Sequence, residues 1–103
     1  MDVFLAISDS TRRGMLEMLL AGERSAGDFV SEFSEMTQSA VSQHLKVLRE
    51  VNLVKVRVDG SKRVYSLIPE TLSEVDAWIA RYRHFWPRKL DALAKHLDRK
   101  PRS

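Results

Sequence analysis

The spacing of apolar residues predicts a mostly helical chain with one β-hairpin. Val41, Leu45 and Leu48 recur at the i, i+4, i+7 spacing of a helix that buries one side. Residues 53–58 instead alternate apolar and cationic side chains, the pattern of a strand, and residues 63–67 return as its partner after a turn. The other predicted elements are a short apolar segment at residues 3–7, helices at residues 10–20 and 26–33, and a final helical segment from residue 69.

The first long helix is predicted to turn Leu16, Leu19 and Leu20 inward. Arg12 and Arg13 lie in its first turn, where a cation opposes the helix dipole. Each is therefore expected to bind either an acidic neighbour or a DNA phosphate, and the structural partner is the favoured interpretation.

The helix that begins after Thr37 has an unusual polar side. Thr37 suits the N-cap position. In place of the alternating Glu and Lys of a solvated helix, this side carries short hydroxyls, an amide and cations, which suit a groove where base edges and phosphates are both met. Two short helices joined by a turn, the second with this polar side, form a helix-turn-helix. The alternative is an ordinary surface helix with small residues on one face. The residues of the polar side are Ser39, Ser42, Gln43, Lys46 and Arg49.

The hairpin that follows has a basic face and a basic tip, with residues 59–62 as its predicted turn. Because an isolated two-stranded hairpin is marginal in water, it must lie against the helices. Directly after a helix-turn-helix it is interpreted as a wing, in which Lys62, Arg63 and Arg57 reach phosphates or the adjacent minor groove. A purely structural hairpin, whose charges protect an edge strand, is the alternative.

The last segment carries more apolar surface than so small a body can cover. Its apolar residues stand three or four apart between residues 72 and 97, and Pro87 predicts a kink near residues 85–86 or two helices meeting there. The remaining apolar surface is expected to pack on the first segment and on the same elements of a second subunit, in a two-fold interface. An aromatic ligand pocket is the alternative. The predicted interface residues are Val3, Phe4, Ile7, Trp78, Tyr82, Phe85, Trp86, Leu90 and Leu93.

Size and composition indicate one globular domain. The chain has 103 residues, of which 44% are hydrophobic and 30% charged. We expect a single domain over residues 1–98, with a dimerisation helix at about residues 69–98 and a charged tail at residues 99–103. No apolar run has the length of a membrane span, no signal peptide is recognisable, and there is no cysteine, so a cytoplasmic location without membrane contact is expected.

Charge is distributed unevenly along the chain. Residues 37–67 carry six Lys or Arg against two Asp or Glu, whereas residues 1–36 carry three against seven. A basic middle on an acidic body is typical of a module that docks on phosphates, although surface cations are often merely solvated.

No catalytic or metal-binding pattern is recognisable. There is no Gly-rich phosphate loop or paired-carboxylate pattern, so neither enzyme activity nor a cofactor is expected. His84 and His96 are twelve residues apart rather than the three or four that place two ligands on one helical face. We expect no metal, and an intersubunit site with Asp76 or Asp91 is the weaker alternative.

Three motifs resemble those of the ArsR-type winged-helix repressors. Residues 9–13 with the apolar pairs that follow are similar to the family's opening motif, with Ser10 in place of proline. Residues 38–48 are similar to its recognition-helix signature, and residues 53–67 resemble its wing. The family's metal-sensing members carry a cysteine pair at the place of residues 26–33, and an Asp two residues before a His on the last helix. This chain has neither, so it resembles the cysteine-free members and metal sensing is not expected.

The resemblance implies a homodimeric DNA-binding repressor, and we expect it to occupy a palindromic operator. A winged helix used only for protein–protein docking is the alternative, and whether a small-molecule inducer exists is left open. The implied base-reading residues are Gln38, Ser39, Ser42 and Gln43. The expected phosphate and wing contacts are Thr37, His44, Lys46, Arg49, Arg57, Lys62 and Arg63.

Overall fold

The computed structural model describes residues 1–86, which form five helices and a three-stranded antiparallel sheet. The predicted fold class, mainly helical with a small β-hairpin in a winged helix-turn-helix, is confirmed. The helices are α1 Val3–Ala6, α2 Ser10–Met18, α3 Ala26–Glu32, α4 Gln38–Glu50 and α5 Ser73–Ala80. The strands are β1 Arg24–Ser25, β2 Val54–Asp59 and β3 Lys62–Leu67, and single 3₁₀ turns cover Leu19–Ala21, Pro69–Leu72 and Arg83–Phe85.

Side-chain caps set the starts of the first four helices. Asp2, Asp9 and Thr37 each accept a hydrogen bond from the backbone N–H three residues later, at 2.9, 3.0 and 3.0 Å. At α3, Ser25 and Asp28 form a capping box, in which each side chain accepts from the other residue's backbone N–H. The entry of each helix is therefore specified locally.

The core lies where α2, α3 and α4 meet the sheet. Val41, Leu45 and Leu48 are all buried, as the helical spacing predicts. Phe29 of α3 is fully buried and meets the Tyr65 ring edge-on at 5.8 Å. These contacts hold α4 by one side only, so its other side stays free.

The prediction that Leu20 faces the core was wrong. Helix α2 gives way to a 3₁₀ turn at Leu19, which redirects the side chains, and Leu20 is 75% exposed. Met15, which the spacing did not single out, is fully buried in the core.

The hairpin prediction missed one strand and made the turn two residues too long. Arg24 and Ser25 pair with Tyr65 and Val64, so β3 is the central strand in the order β1-β3-β2. Asp59 pairs with Lys62, which leaves a two-residue turn with Gly60 at a φ of 64°. Since β1 leads directly into α3, the wing is tied to the helix-turn-helix by backbone hydrogen bonds.

The C-terminal part is not one continuous helix within the described residues. Helix α5 ends at Ala80, and after the last 3₁₀ turn Trp86 is extended with a ψ of 133°. The interruption therefore begins earlier than the predicted break at residues 85–86, and the extended Trp86 is what a following proline favours. Pro87 itself, the predicted interface residues Leu90 and Leu93, and the charged tail lie outside the described residues.

Candidate nucleic-acid interface

Helix α4 presents an exposed polar face opposite its buried ridge. The ridge residues Val41, Leu45 and Leu48 are at most 3% exposed, so the rotation of the helix about its axis is determined by packing. Thr37 is exposed at the helix start, but its Oγ1 is engaged as the cap. The exposed residues of the polar face are Ser39, Ser42, Gln43, Lys46 and Arg49, as the sequence predicts, and Gln38 is exposed in the first turn of the helix.

Cations from α4 and from the wing line one cleft. Lys46 and Arg49 of α4 and Arg63 of β3 line it, together with Ser42 and Tyr65. Three positive charges along one open cleft favour a bound anion of the size of a DNA phosphate. Spacing on the helix could predict the first two residues, but only the fold brings Arg63 beside them.

Arg57 is engaged by carboxylates rather than free at the wing tip. Its Nη2 and Nε donate to the two carboxylate oxygens of Glu23 at 3.0 and 3.2 Å, and Asp59 lies 3.5 Å from its Nη1. The hydrogen bonds from Arg57 lower the pKa of Glu23. The predicted phosphate contact of Arg57 thus competes with this ion pair, whereas Lys62 at the tip is exposed. Glu23 carried no sequence signal because it is 34 residues away.

His44 faces α2 instead of the open groove. Its side chain is 20% exposed, and its Nδ1 lies 3.2 Å from Arg12 Nη1 and 3.9 Å from Asp9 Oδ2. The hydrogen bond from the Arg12 backbone N–H, and to a lesser degree the charge of Arg12, lower the pKa of Asp9. The phosphate contact expected of His44 stays a prediction, but this geometry favours a role inside the protein.

Exposed aromatic side chains of the last segment, together with Phe4 of α1, form an aromatic surface. Trp78 meets Phe4 of α1 at 5.8 Å and Tyr82 at 5.1 Å, both edge-on, so the first and last segments do pack on each other within the chain. Phe85 and Trp86 extend this surface at 72% and 45% exposure. Several large exposed aromatic side chains within one short segment are typical of an interaction site.

Two of the predicted interface residues offer less surface than expected. Val3 is only 4% exposed and belongs to the core of its own chain, which leaves almost no side chain for a partner. Ile7 is half-buried. Leu5, which the sequence argument passed over, is instead 53% exposed.

Over residues 1–86, no three His, Asp or Glu side chains lie close enough together to hold a metal ion. Within the same range, no helix is long and apolar enough to cross a membrane. His96 and Asp91, which the alternative metal site needs, lie outside this range.

Comparisons with known proteins agree on one family. Residues 9–56, which run from the start of α2 into β2, match the family described as bacterial regulatory protein, arsR family. The HTH-type transcriptional regulator Rv2034 of Mycobacterium tuberculosis is 38% identical over 90% of this chain and 83% of its own length. The transcriptional repressor SdpR of Bacillus subtilis is 32% identical over 79% of this chain and 89% of its own.

Solved structures share the fold. The crystal structure of the ArsR family transcriptional regulator RHA00566 superposes with a TM-score of 0.73 at 25% identity, covering 81% of this chain and 84% of that one. Sequence and structure therefore point to the same group of proteins.

Proposed function

Because the chain belongs to the ArsR family of bacterial regulatory proteins and is a DNA-binding transcriptional regulator, we propose that it represses transcription as a homodimer on a palindromic operator. The observation that carries this proposal is the exposed polar face of α4. Gln38, Ser39, Ser42 and Gln43 are the base-reading residues, because amides and hydroxyls both donate and accept hydrogen bonds at base edges.

Phosphate contacts hold α4 in the major groove. The cleft between α4 and β3 supports this role for Lys46, Arg49 and Arg63, and Lys62 adds a further cation at the wing tip. Such contacts release counterions, so binding weakens steeply as salt rises.

The homodimer is supported by the aromatic surface formed by Phe4 and residues 78–86. A two-fold interface on this surface would give an assembly with two symmetry-related copies of α4. Dimers of helix-turn-helix proteins read half-sites about 34 Å apart, one turn of DNA, so the operator is an imperfect palindrome.

Repression is supported by the similarity to the transcriptional repressor SdpR, with which this chain aligns over most of its length. A dimer that occupies an operator within a promoter blocks transcription sterically. No metal or ligand is assigned as inducer.

Selection of duplexes from a random pool tests the proposal. We expect enrichment of a palindromic sequence with half-sites one turn apart, and lowered expression of a reporter placed behind it. Enrichment of no sequence, with binding instead to acidic proteins, contradicts the proposal and favours the docking module. Repeating the selection with divalent metals and small hydrophobic compounds identifies an inducer by loss of binding.

A further inference from the structure

The guanidinium of Arg12 contacts two separate helices. Its Nε donates to the carbonyl oxygen of Ala6 at 2.7 Å, and its Nη2 donates to that of Leu5 at 3.2 Å. Both carbonyls belong to the last turn of α1, and that of Leu5 also accepts from the backbone N–H and the hydroxyl of Ser8, at 3.2 and 2.6 Å. The remaining nitrogen, Nη1, lies 3.2 Å from Nδ1 of His44 in α4.

The contact with His44 has one consistent donor and acceptor assignment. A guanidinium only donates, so Nδ1 of His44 accepts, and the imidazole proton lies on Nε2. His44 stands between the exposed Gln43 and the buried Leu45 on α4. Arg12 itself is held in place because Asp9 Oδ2 accepts from its backbone N–H at 3.0 Å.

The other end of this connection is the aromatic surface. Helix α1 has only four residues, so its position depends on its contacts. Phe4 of α1 packs on Trp78, and the carbonyls of the next two residues accept from Arg12. A continuous path of packed and hydrogen-bonded groups thus runs from the aromatic surface to the DNA-reading helix.

We propose that Arg12 is a positioning residue that fixes the position of α4 relative to the aromatic surface. In the dimer it would thereby fix the distance between the two α4 helices. This inference rests on the proposed function, since spacing matters only in a dimer that reads two half-sites. Arg12 touches no DNA in this role and acts through His44.

A purely structural role predicts a different outcome. If Arg12 only capped α1, its loss would lower affinity for one half-site and for two half-sites by the same factor. If Arg12 fixes the spacing, its loss reduces the increase in affinity that the second half-site provides. The affinity for a single half-site then stays nearly unchanged.

Arg13 provides a matched control on the same helix. Its Nη1 donates to the carbonyl oxygen of Ile7 at 2.7 Å, so it also contacts the end of the first segment. No hydrogen bond or ion pair joins it to α4 among the described residues. Arg13→Met therefore removes a comparable charge and hydrogen bond without breaking the path.

The experiment measures the affinity of the 103-residue protein for four duplexes. They are the selected operator, the same duplex with one half-site scrambled, and two operators with one or two base pairs added between the half-sites. We expect Arg12→Met and His44→Leu each to lower the operator-to-half-site affinity ratio at least tenfold and to reduce discrimination against altered spacing. Arg13→Met is expected to change the ratio less than threefold. The variant that combines Arg12→Met and His44→Leu should have an affinity ratio no lower than the lower of the two single-variant ratios.

His44→Asn tests the hydrogen bond itself, because the Asn side-chain oxygen replaces the accepting Nδ1. We expect it to keep the ratio within threefold of the wild type.

Three results would overturn the inference. They are an unchanged ratio in folded Arg12→Met, additive effects in the double variant, or a ratio for His44→Asn as low as that for His44→Leu. If Arg12→Met does not fold, as judged by circular dichroism, the two His44 variants decide by the same criteria. Absence of operator binding by the wild type instead refutes the proposed function.

Discussion

Single side chains on the DNA-facing surface differ in what they offer to a duplex. Gln43 is an exposed amide that both donates and accepts, which matches the adenine edge in the major groove. Lys62 is a compact charge at the end of the wing, opposite Asp59 in the strand register, and carries no directional preference for a base. A substitution at Gln43 is therefore expected to change sequence preference, and one at Lys62 to change the affinity for every duplex.

Replacing Gln43 with Ala should relax sequence preference at one operator position in each half-site. A lost bidentate contact reduces discrimination against the wrong base by ~1–3 kcal/mol. Affinities for operators substituted at each position measure this effect, with Gln43→Asn as the variant of matched chemistry. Equal loss on every duplex contradicts a base-reading role.

Replacing Lys62 with Ala should weaken binding to all duplexes alike and reduce the slope of log affinity against log salt by about one. Lys55→Ala is the control, because Lys55 is also an exposed lysine of the hairpin but lies away from its tip. An unchanged salt slope excludes the phosphate contact of Lys62.

At the scale of the element, α4 depends on its cap and on its buried ridge. Thr37→Ala removes the oxygen that accepts from the Ala40 N–H at 3.0 Å, and should lower the free energy of unfolding by about 1 kcal/mol. Thr37→Ser keeps this hydrogen bond and should retain most of the stability. Denaturant unfolding of the three proteins provides the comparison, and equal midpoints for Ala and wild type would show that the cap is dispensable.

An exposed ion pair joins Arg57 of the wing to Glu23, the residue before β1. Because the folded protein lowers the pKa of Glu23, this carboxylate stabilises the fold above its ordinary pKa of about 4.3, and the contribution is lost as the pH falls through the lower folded value. Glu23→Gln should therefore reduce stability at neutral pH, and its difference from the wild type should shrink between about pH 5 and pH 3. Thermal melting across this range measures it, and a constant difference contradicts the pairing.

Elements set by neighbouring residues were predictable, whereas those set by distant ones were not. The α4 ridge, the capping box at Ser25 and the left-handed Asn52, with a φ of 62°, all follow from local chemistry. Strand β1 has two residues, too few for a periodic signal, and it exists only through its pairing with β3. The ion pair of Arg57 and the contact of His44 with Arg12 likewise join residues more than thirty positions apart.

At the scale of the whole molecule, the exposed aromatic surface makes assembly the main expectation. Phe85 is 72% exposed, so Phe85→Ser should leave the protomer folded and shift the dimer towards monomer. Val58→Ser is a matched control, since Val58 on the wing is 73% exposed. Sedimentation over a concentration series measures the shift, and an unchanged dimer would place the interface elsewhere.

The most direct test of the central claim is to map backbone amide NMR shifts while the selected operator is added. The account predicts the largest changes at Ser39, Ser42 and Gln43 on α4 and at residues 60–63 of the wing. Changes confined to the aromatic surface or to α3, with α4 unaffected, would contradict it.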